Sequence, residues 1–304
     1  MTIPARGLAE QRMAELVGLQ TALAGAGYIA ERSLAAALLL MLELERPLLL
    51  EGDAGVGKTE VAKVLASVRG TRLIRLQCYE GLDVHAAMYE WNYQRQLLAI
   101  KLLEQDDRPV AQKEEDIFSE RYLLKRPLLE AISCATPPVL LIDEVDRADE
   151  AFEAYLLELL SDFQMSIPEL GTVKATSKPL VVITSNGTRE LSDALRRRCL
   201  YQYIDYPDLD KELAIVEVKV PQAAGALAQQ IVSFVQSVRR MDLQKKPGIA
   251  ETLDWAAALL RLGISTIDAH GAERIMETLG ALIKTREDRA AFPREVVAKL
   301  AATC

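Results

Sequence analysis

A glycine-rich loop pattern lies early in the chain and could bind phosphate. It fits G-x-x-x-x-G-K-[ST] over eight consecutive residues: Gly52, Asp53, Ala54, Gly55, Val56, Gly57, Lys58 and Thr59. In such a loop backbone N–H groups surround phosphate oxygens, while the lysine reaches the β and γ phosphates and the threonine hydroxyl ligates Mg²⁺. The pattern therefore predicts a site for ATP and Mg²⁺ that extends to Glu60, where a helix begins. The alternative is a glycine-rich turn that only joins a strand to a helix.

Two acids follow an apolar run in the middle of the chain. Val139 to Ile142 has the character of a buried strand, and Asp143 and Glu144 come directly after it. Ligands of open α/β sheets bind at the carboxyl ends of strands. We expect Asp143 to hold Mg²⁺ through water and Glu144 to orient and polarise the attacking water. Alone this pair is more often a solvated strand end, but beside a phosphate loop it indicates a hydrolase.

Two further groups could act on the terminal phosphate. The amide of Asn186 follows the apolar run Leu180 to Thr184, and it could reach the γ-phosphate or its water. A plain turn at Asn186-Gly187 is the alternative. The only dense basic run of the chain is Arg196-Arg197-Arg198. By charge alone this run could equally be a solvated helix end.

The elements that position these residues alternate between short apolar strands and longer helical stretches. The predicted strands are Pro47 to Leu50, Leu73 to Leu76, Val139 to Ile142, Leu180 to Thr184 and Tyr201 to Tyr206. Such alternation predicts an α/β fold in which helices sandwich a parallel sheet. After Pro207 only helix-length segments follow: Leu209 to Val220, Ala223 to Met241, Ile249 to Leu262 and Ala272 to Lys284. We predict a nucleotide-binding core over residues 1–207 and an all-helical lid domain over 208–304, with Asp208 capping the first lid helix.

Two segments exceed a minimal alternating plan. Residues of about 83–126 form an insertion that carries Tyr89, Trp91 and Tyr93 and a charged stretch over 105–116, and Pro127 is expected to open the next helix. Residues of about 163–178 alternate around Gly171 and predict a β-hairpin. Ordinary surface loops are the alternative for both segments.

Composition excludes several classes of protein. Half of the 304 residues are apolar and the formal net charge is −8, which fits a globular protein and disfavours a nucleic-acid partner. The four cysteines are far apart, so neither a zinc site nor a disulfide framework is indicated. The longest apolar run, Leu34 to Leu42, is too short to span a membrane. We expect a cytoplasmic protein.

Taken in this order, the phosphate loop, the two strand ends, the arginine run and the helical region resemble those of the AAA+ ATPases. Within that class the segments Asp143 to Ala148 and Ala154 to Leu160 are similar to those of the MoxR group. Four further strings resemble its CoxD-like branch: Arg46 to Gly52, Gln77 to Asp83, Tyr89 to Tyr93 and Thr252 to Ala256.

This resemblance implies a homo-oligomer, usually a hexameric ring, that acts as a chaperone-like ATPase. It also implies a partner with a von Willebrand factor A domain and a protein client, typically a metalloenzyme. By position, Asn186 would sense the γ-phosphate and Arg198 would be the finger given to the neighbouring subunit, with Arg197 as the alternative. The aromatic insertion and the hairpin would face the ring's pore or the partner.

Some features depart from this pattern or leave a choice. Glu251 stands where many related lids carry an arginine that touches the γ-phosphate. Tyr28 and Ile29 could contact adenine or could simply pack. A nucleic-acid motor or restriction-type translocase on the same core is the alternative function, and a nucleotide-binding switch without hydrolysis is a third, which Glu144 disfavours.

Overall fold

The computed structural model describes residues 5–103 and 108–304 of the chain. Its strands are β1 (Leu48–Glu51), β2 (Leu73–Gln77), β3 (Tyr89–Trp91), β4 (Leu123–Lys125), β5 (Val139–Asp143), β6 (Gln164–Ile167), β7 (Gly171–Lys174), β8 (Leu180–Ser185) and β9 (Leu200–Tyr203). Its helices are α1 (Ala5–Gly25), α2 (Arg32–Leu44), α3 (Lys58–Arg69), α4 (Val84–Met88), α5 (Tyr93–Leu103), α6 (Val110–Ile117), α7 (Pro127–Ser133), α8 (Glu150–Asp162), α9 (Asp193–Arg198), α10 (Leu209–Lys219), α11 (Ala226–Arg239), α12 (Ile249–Arg261), α13 (Ala272–Thr278), α14 (Arg286–Ala290) and α15 (Arg294–Ala301). None of the helices in these described ranges combines the length and the apolar character that a membrane span requires.

The central sheet belongs to one of two compact units, which takes in residues 33–51 and 65–202. Its strand order is β2-β5-β8-β1-β9, and its strands run parallel. Every residue of β5 is buried, as expected of a strand with both faces covered. The predicted parallel sheet is thus confirmed. Because β2, β5 and β8 are parallel neighbours, their carboxyl ends lie at the same edge of the sheet.

Helices α7 and α8 supply much of the apolar cover of this sheet. Leu128 and Ile132 of α7 and Phe152 and Leu156 of α8 are buried in one core with the strands. Pro127 is the first residue of α7, as predicted, because proline lacks the N–H that a first turn leaves unbonded. The packing of α7 and α8 against the sheet helps to fix the positions of the strand ends.

Both extra segments contain regular structure. β6 and β7 pair antiparallel, which confirms the predicted hairpin. In the insertion, β3 pairs antiparallel with β4, and helices α4, α5 and α6 lie along the chain between residues 84 and 117. Residues 104–107 of the predicted charged stretch lie outside the described residues. A surface loop was the alternative for both segments, and neither is one.

The aromatic residues of the insertion, which the resemblance led us to expect at the pore or the partner surface, are not all exposed. Tyr89 and Trp91 are 5% and 6% exposed, whereas Tyr93 is 64% exposed. The Trp91 ring makes edge contacts with Tyr89 and with Phe118, at centroid distances of 6.3 and 5.6 Å. Side chains alternate across a strand, so Tyr89 and Trp91 share the inner face of β3. The expectation was wrong for these two residues, which belong to the core.

Replacing Trp91 with alanine should therefore lower the free energy of unfolding, by about 3–5 kcal/mol for a large buried aromatic. Tyr93→Ala is the matched control and should change it by less than about 0.5 kcal/mol. Urea unfolding followed by circular dichroism measures both. Equal effects in the two variants would contradict the burial of Trp91.

The second unit takes in the N-terminal segment up to Arg32, residues 52–64 and residues 203–304. Among the described residues no strand follows β9, so the C-terminal region is helical, as predicted. Its helices share one core that includes Ile231, Phe234, Trp255 and Phe292. Asp208 caps α10 by accepting a hydrogen bond from the Lys211 N–H, as predicted. The domain boundary at residues 207 and 208 stays a prediction.

One predicted helix is shorter than expected. The pattern over 272–284 predicts a single helix, but α13 ends at Thr278 and a tighter 3₁₀ turn follows over Leu279–Ala281. Gly280 lies inside that turn, and glycine disfavours continued α-helix by about 1 kcal/mol relative to alanine.

Candidate functional site

The phosphate loop joins β1 to α3. Gly55 and Gly57 have φ angles of 82° and 95°, a region that side-chain-bearing residues rarely adopt. Val56 between them is buried and anchors the loop. The chain thus follows the strand, loop and helix order that the sequence pattern requires.

The ammonium group of Lys58 lies within this loop. Its Nζ atom donates hydrogen bonds to the carbonyl oxygens of Gly52 and Asp53, both at 2.7 Å, and the residue is only 6% exposed. Thr59 follows as the second residue of α3. A buried cation at a helix N-terminus creates positive potential, so these donors fit a phosphate group, and the Thr59 hydroxyl is the ligand type that phosphate-bound Mg²⁺ takes.

Two other predicted residues lie near the loop in the same unit. Glu60 pairs with Lys63 at 3.1 Å and with Lys219 at 3.5 Å. The Tyr28 ring lies 4.0 Å from the position that a Cβ atom on Gly57 would occupy. Burial, with the nearby charges of Glu31 and Glu60, raises the pKa of the Tyr28 hydroxyl, so this phenol stays neutral. Tyr28 thus stands beside the loop, whether it contacts adenine or only packs.

The start of α12 is bonded to the phosphate loop through backbone atoms. The Ile249 N–H donates to the Gly55 carbonyl oxygen at 2.9 Å. A Cβ atom on Gly248 would lie 2.7 Å from Gly55, so no side chain fits at this position. Glu251 accepts a hydrogen bond from the Gly248 N–H at 3.0 Å and thereby caps the helix. Glu251, which stands where an arginine was expected in the lid, therefore stabilises the start of α12 beside the phosphate loop.

A buried ion pair supports the same segment. Both Glu212 oxygens accept from Arg239, at 2.5 and 2.6 Å, and the two residues are 0% and 7% exposed. The Thr252 hydroxyl donates to Glu212 at 2.8 Å, and the Arg239 Nε atom donates to the Pro247 carbonyl oxygen at 2.8 Å. The pair thus fixes the residue that precedes Gly248. Nothing in the local sequence pattern pointed to this arrangement, because its members lie up to 40 residues apart.

In the sheet unit, Asp143 is held by two neighbouring strands. Its carboxylate is 2% exposed, and one oxygen accepts a hydrogen bond from the Thr184 hydroxyl at 2.6 Å. The other oxygen accepts from Arg75 Nε at 3.0 Å and Nη2 at 2.6 Å. Contacts from two neighbouring strands thus fix both oxygens of this buried carboxylate, and carboxylate oxygens are ligands that Mg²⁺ takes. Sequence reasoning missed Arg75, although its alternation with Gln77 along β2 places both on one face.

Glu144 lies in a left-handed backbone conformation, with φ 55° and ψ 51°. Its N–H donates to the Thr184 hydroxyl oxygen at 2.8 Å, which fixes this turn. One carboxylate oxygen receives a hydrogen bond from Gln77 at 3.1 Å and an ion pair from Arg147 at 2.9 Å. Non-glycine residues in this conformation cost about 1–3 kcal/mol and cluster at functional sites. The turn aims the Glu144 carboxylate at Gln77 and Arg147.

Asn186 lies at the end of β8, beside the acidic end of β5. Its N–H donates to Asp146 at 3.2 Å, and the N–H and hydroxyl of Thr188 donate to the same carboxylate at 3.0 and 2.6 Å. Burial alone raises the pKa of Asp146, but the hydrogen bonds from Thr188 and Asn186 outweigh it and lower this pKa overall. The sheet therefore brings Asp143, Glu144 and Asn186 to one edge.

The three arginines of the basic run have different surroundings. Arg196 pairs with Glu51 at 3.3 Å. Arg197 is exposed at the end of α9. Arg198 is half-buried, and its guanidinium donates to the Ser161 hydroxyl and to the Ala194 carbonyl oxygen. Both residues therefore remain candidates for the finger: Arg197 is exposed, whereas Arg198 is held by contacts within its own chain.

Comparison with known proteins gives the chain a family. A model described as AAA domain (dynein-related subfamily) matches residues 47–199, just over half of the chain. An uncharacterized protein of Staphylococcus haemolyticus is 25% identical over 211 residues, which are 67% of this chain and 72% of that protein. One of Staphylococcus aureus (strain bovine RF122 / ET3-1) is 26% identical over 229 residues, 73% and 78% of the two chains.

Among solved structures, the Thermotoga maritima RuvB Holliday junction branch migration motor aligns at 19% identity with a TM-score of 0.43, over 85% of this chain and 69% of that one.

The family match runs from β1 to the residue after α9, and so includes the phosphate loop, both acidic strand-end residues, Asn186 and the arginine run. The chain therefore belongs to the AAA domain (dynein-related subfamily) family of AAA+ ATPases.

Proposed function

We propose that this chain hydrolyses ATP with Mg²⁺ and uses the energy to remodel a protein client. The observation that carries this proposal is the geometry of Glu144. A protein that only binds nucleotide needs a phosphate loop, whereas a hydrolase also needs a group that activates or orients the attacking water, and a carboxylate can do this. The strained turn at Glu144 holds such a carboxylate beside the buried Asp143.

Each predicted site residue has a proposed task. Lys58 and the loop residues from Gly52 to Thr59, together with Glu60, bind the nucleotide, and Thr59 and Asp143 hold Mg²⁺. Mg²⁺ held by these residues would neutralise charge on the phosphates. Glu144 removes a proton from the attacking water, and Asn186 orients that water or the γ-phosphate. Gln77 and Arg147 position the Glu144 carboxylate, because both contact the same one of its two oxygens.

The biological setting rests on the resemblance to the MoxR group and its CoxD-like branch. We infer a ring of identical subunits, a hexamer as is usual in that group, in which Arg198 or Arg197 serves the ATP of the neighbour. A partner with a von Willebrand factor A domain and a metalloenzyme client complete the proposal. The net charge of −8 supports a protein client over a nucleic acid.

ATP turnover measured with and without added ligands tests this function. We expect a von Willebrand factor A domain protein encoded beside this chain to raise turnover, and double-stranded DNA to leave it unchanged. Stimulation by DNA alone would instead favour the nucleic-acid motor. Absence of any Mg²⁺-dependent turnover in the assembled protein would leave a nucleotide switch.

Lys58→Ala should weaken ATP binding by at least about 100-fold, because it removes the one cation that the loop holds for the phosphates. Isothermal titration with ATP measures the affinity. Lys63→Ala, on an exposed face of α3, is the matched control and should bind ATP normally. Unchanged affinity in Lys58→Ala would contradict the phosphate-loop assignment.

A further inference from the structure

Three helix ends meet beside the arginine run. α2 ends at Leu44 and is followed by Glu45 with φ 50°, and α8 ends at Asp162 and is followed by Phe163 with φ 48°. The third end is that of α9, which carries the finger candidates. A cleft of about 580 Å³ lies among them, and its lining includes Arg46, Ser161, Lys178, Arg197 and Arg198. The C-terminal carbonyl groups of helices attract cations, and four cations line this cleft.

Arg46 binds the end of α9 directly. Its Nη2 atom donates to the Arg197 carbonyl oxygen at 2.7 Å and to the Cys199 carbonyl oxygen at 3.4 Å, and its Nε atom donates to the Arg198 carbonyl oxygen at 3.3 Å. The last carbonyls of a helix lack partners within the helix. A single guanidinium therefore satisfies three successive carbonyl groups at the finger.

The backbone beside Arg46 is itself fixed. Pro47 follows directly, and its carbonyl oxygen accepts a hydrogen bond from the Leu200 N–H at 2.7 Å, where β9 begins. Helix α9 has only six residues, and isolated helices of that length do not hold their shape in water. The orientation of Arg197 and Arg198 thus depends on contacts from outside α9, and Arg46 provides three of them.

A neighbouring cation shows that charge alone does not define this contact. Lys178 lines the same cleft, but its ammonium pairs with Glu45 at 2.5 Å and lies 5.8 Å from the centre of the Phe163 ring. None of its contacts within the described residues is to a carbonyl group of α9. Lys178 therefore offers a matched control of the same charge.

We propose that Arg46 is a positioning residue that fixes the end of α9 and so aims the arginine finger at the neighbouring subunit. This inference rests on the proposed function, because it needs a finger that acts on another subunit. Arg46 itself does not touch nucleotide in this proposal. Loss of the Arg46 side chain should lower ATP hydrolysis only in the neighbouring subunit that receives the finger.

Arg46→Ala should lower ATP turnover by about 10- to 100-fold, since small misplacements of catalytic groups have effects of that size. Affinity for ATP should stay within about twofold. Arg46→Lys should recover only part of the turnover, because one ammonium cannot reproduce the guanidinium's contacts. Lys178→Ala should turn over ATP at the normal rate.

Mixed assemblies identify the subunit on which Arg46 acts. Arg46→Ala chains mixed with Glu144→Gln chains should regain activity, because some interfaces join an intact Glu144 to an intact finger. Arg46→Ala chains mixed with Arg198→Ala chains should regain none, because both lack a working finger. The opposite pattern would show that Arg46 acts on its own subunit's ATP and would overturn the inference.

Two controls separate the possible failures. Arg198→Ala chains mixed with Glu144→Gln chains must regain activity; if subunits exchange and they do not, the finger of the proposed function is wrong and this inference falls with it. Suppose instead that this control regains activity, but that Glu144→Gln chains rescue neither Arg46→Ala nor an Arg46→Lys variant with normal thermal unfolding. In that case only the Arg46 inference is wrong. Thermal unfolding of each variant shows whether it is folded.

Discussion

Replacing Arg198 with alanine is expected to lower ATP turnover in the assembled protein by about 10³- to 10⁵-fold, the range that arginine fingers supply elsewhere. Affinity for ATP should stay within about twofold. A finger stabilises charge that develops only as the phosphoryl group transfers, so the ground state loses little. Steady-state turnover and ATP titration of the same preparation measure the two quantities.

Two controls distinguish this role from a structural one. Ser161→Ala removes the hydrogen bond to the Arg198 guanidinium but keeps the cation, so its turnover should fall far less. Arg197→Ala tests the exposed alternative at the next position. If Arg197→Ala shows the large loss and Arg198→Ala does not, the two roles must be exchanged.

The second large effect is expected at Glu144. Glu144→Gln should bind ATP with normal affinity and hydrolyse it about 10²- to 10⁴-fold more slowly, because the amide keeps the shape of the side chain and loses the base. Single-turnover hydrolysis with excess protein isolates the chemical step from product release. Glu150→Gln, an exposed acid in the first turn of α8, should behave as the original protein.

Retained hydrolysis in Glu144→Gln would remove this carboxylate from the mechanism. A loss of ATP affinity would instead indicate that the substitution disturbs the turn. The Thr184 hydroxyl oxygen accepts a hydrogen bond from the backbone N–H of residue 144. Because this bond does not involve the side chain, it should hold the turn equally well in the Glu144→Gln variant.

The sequence predicted those features that depend on neighbours along the chain. Apolar runs with the right length and order indicated β5 and β8, and the acids and amide that end them therefore fell at one edge of the sheet. Pro127 and Asp208 marked helix starts because their effects are confined to a single turn.

Features that depend on distant partners could not be predicted in this way. Arg75 reaches Asp143 across 68 residues, and Arg46 reaches the end of α9 across more than 150. The burial of Trp91 depends on which face of a three-residue strand meets the core, and so short a run gives no reliable period. The left-handed turn at Glu144 also has no local signal, since glutamate rarely adopts it.

The contact between Gly55 and Gly248 has a mechanical consequence. α12 has thirteen residues and is about 20 Å long, and its first N–H is bonded to the phosphate loop. If the Gly55 carbonyl group shifts, the first turn of α12 moves with it. Because a helix is stiff, this shift at one end tilts the whole of α12. Trp255, in the middle of α12, is fully buried. The tilt would reach this indole and the core packed around it.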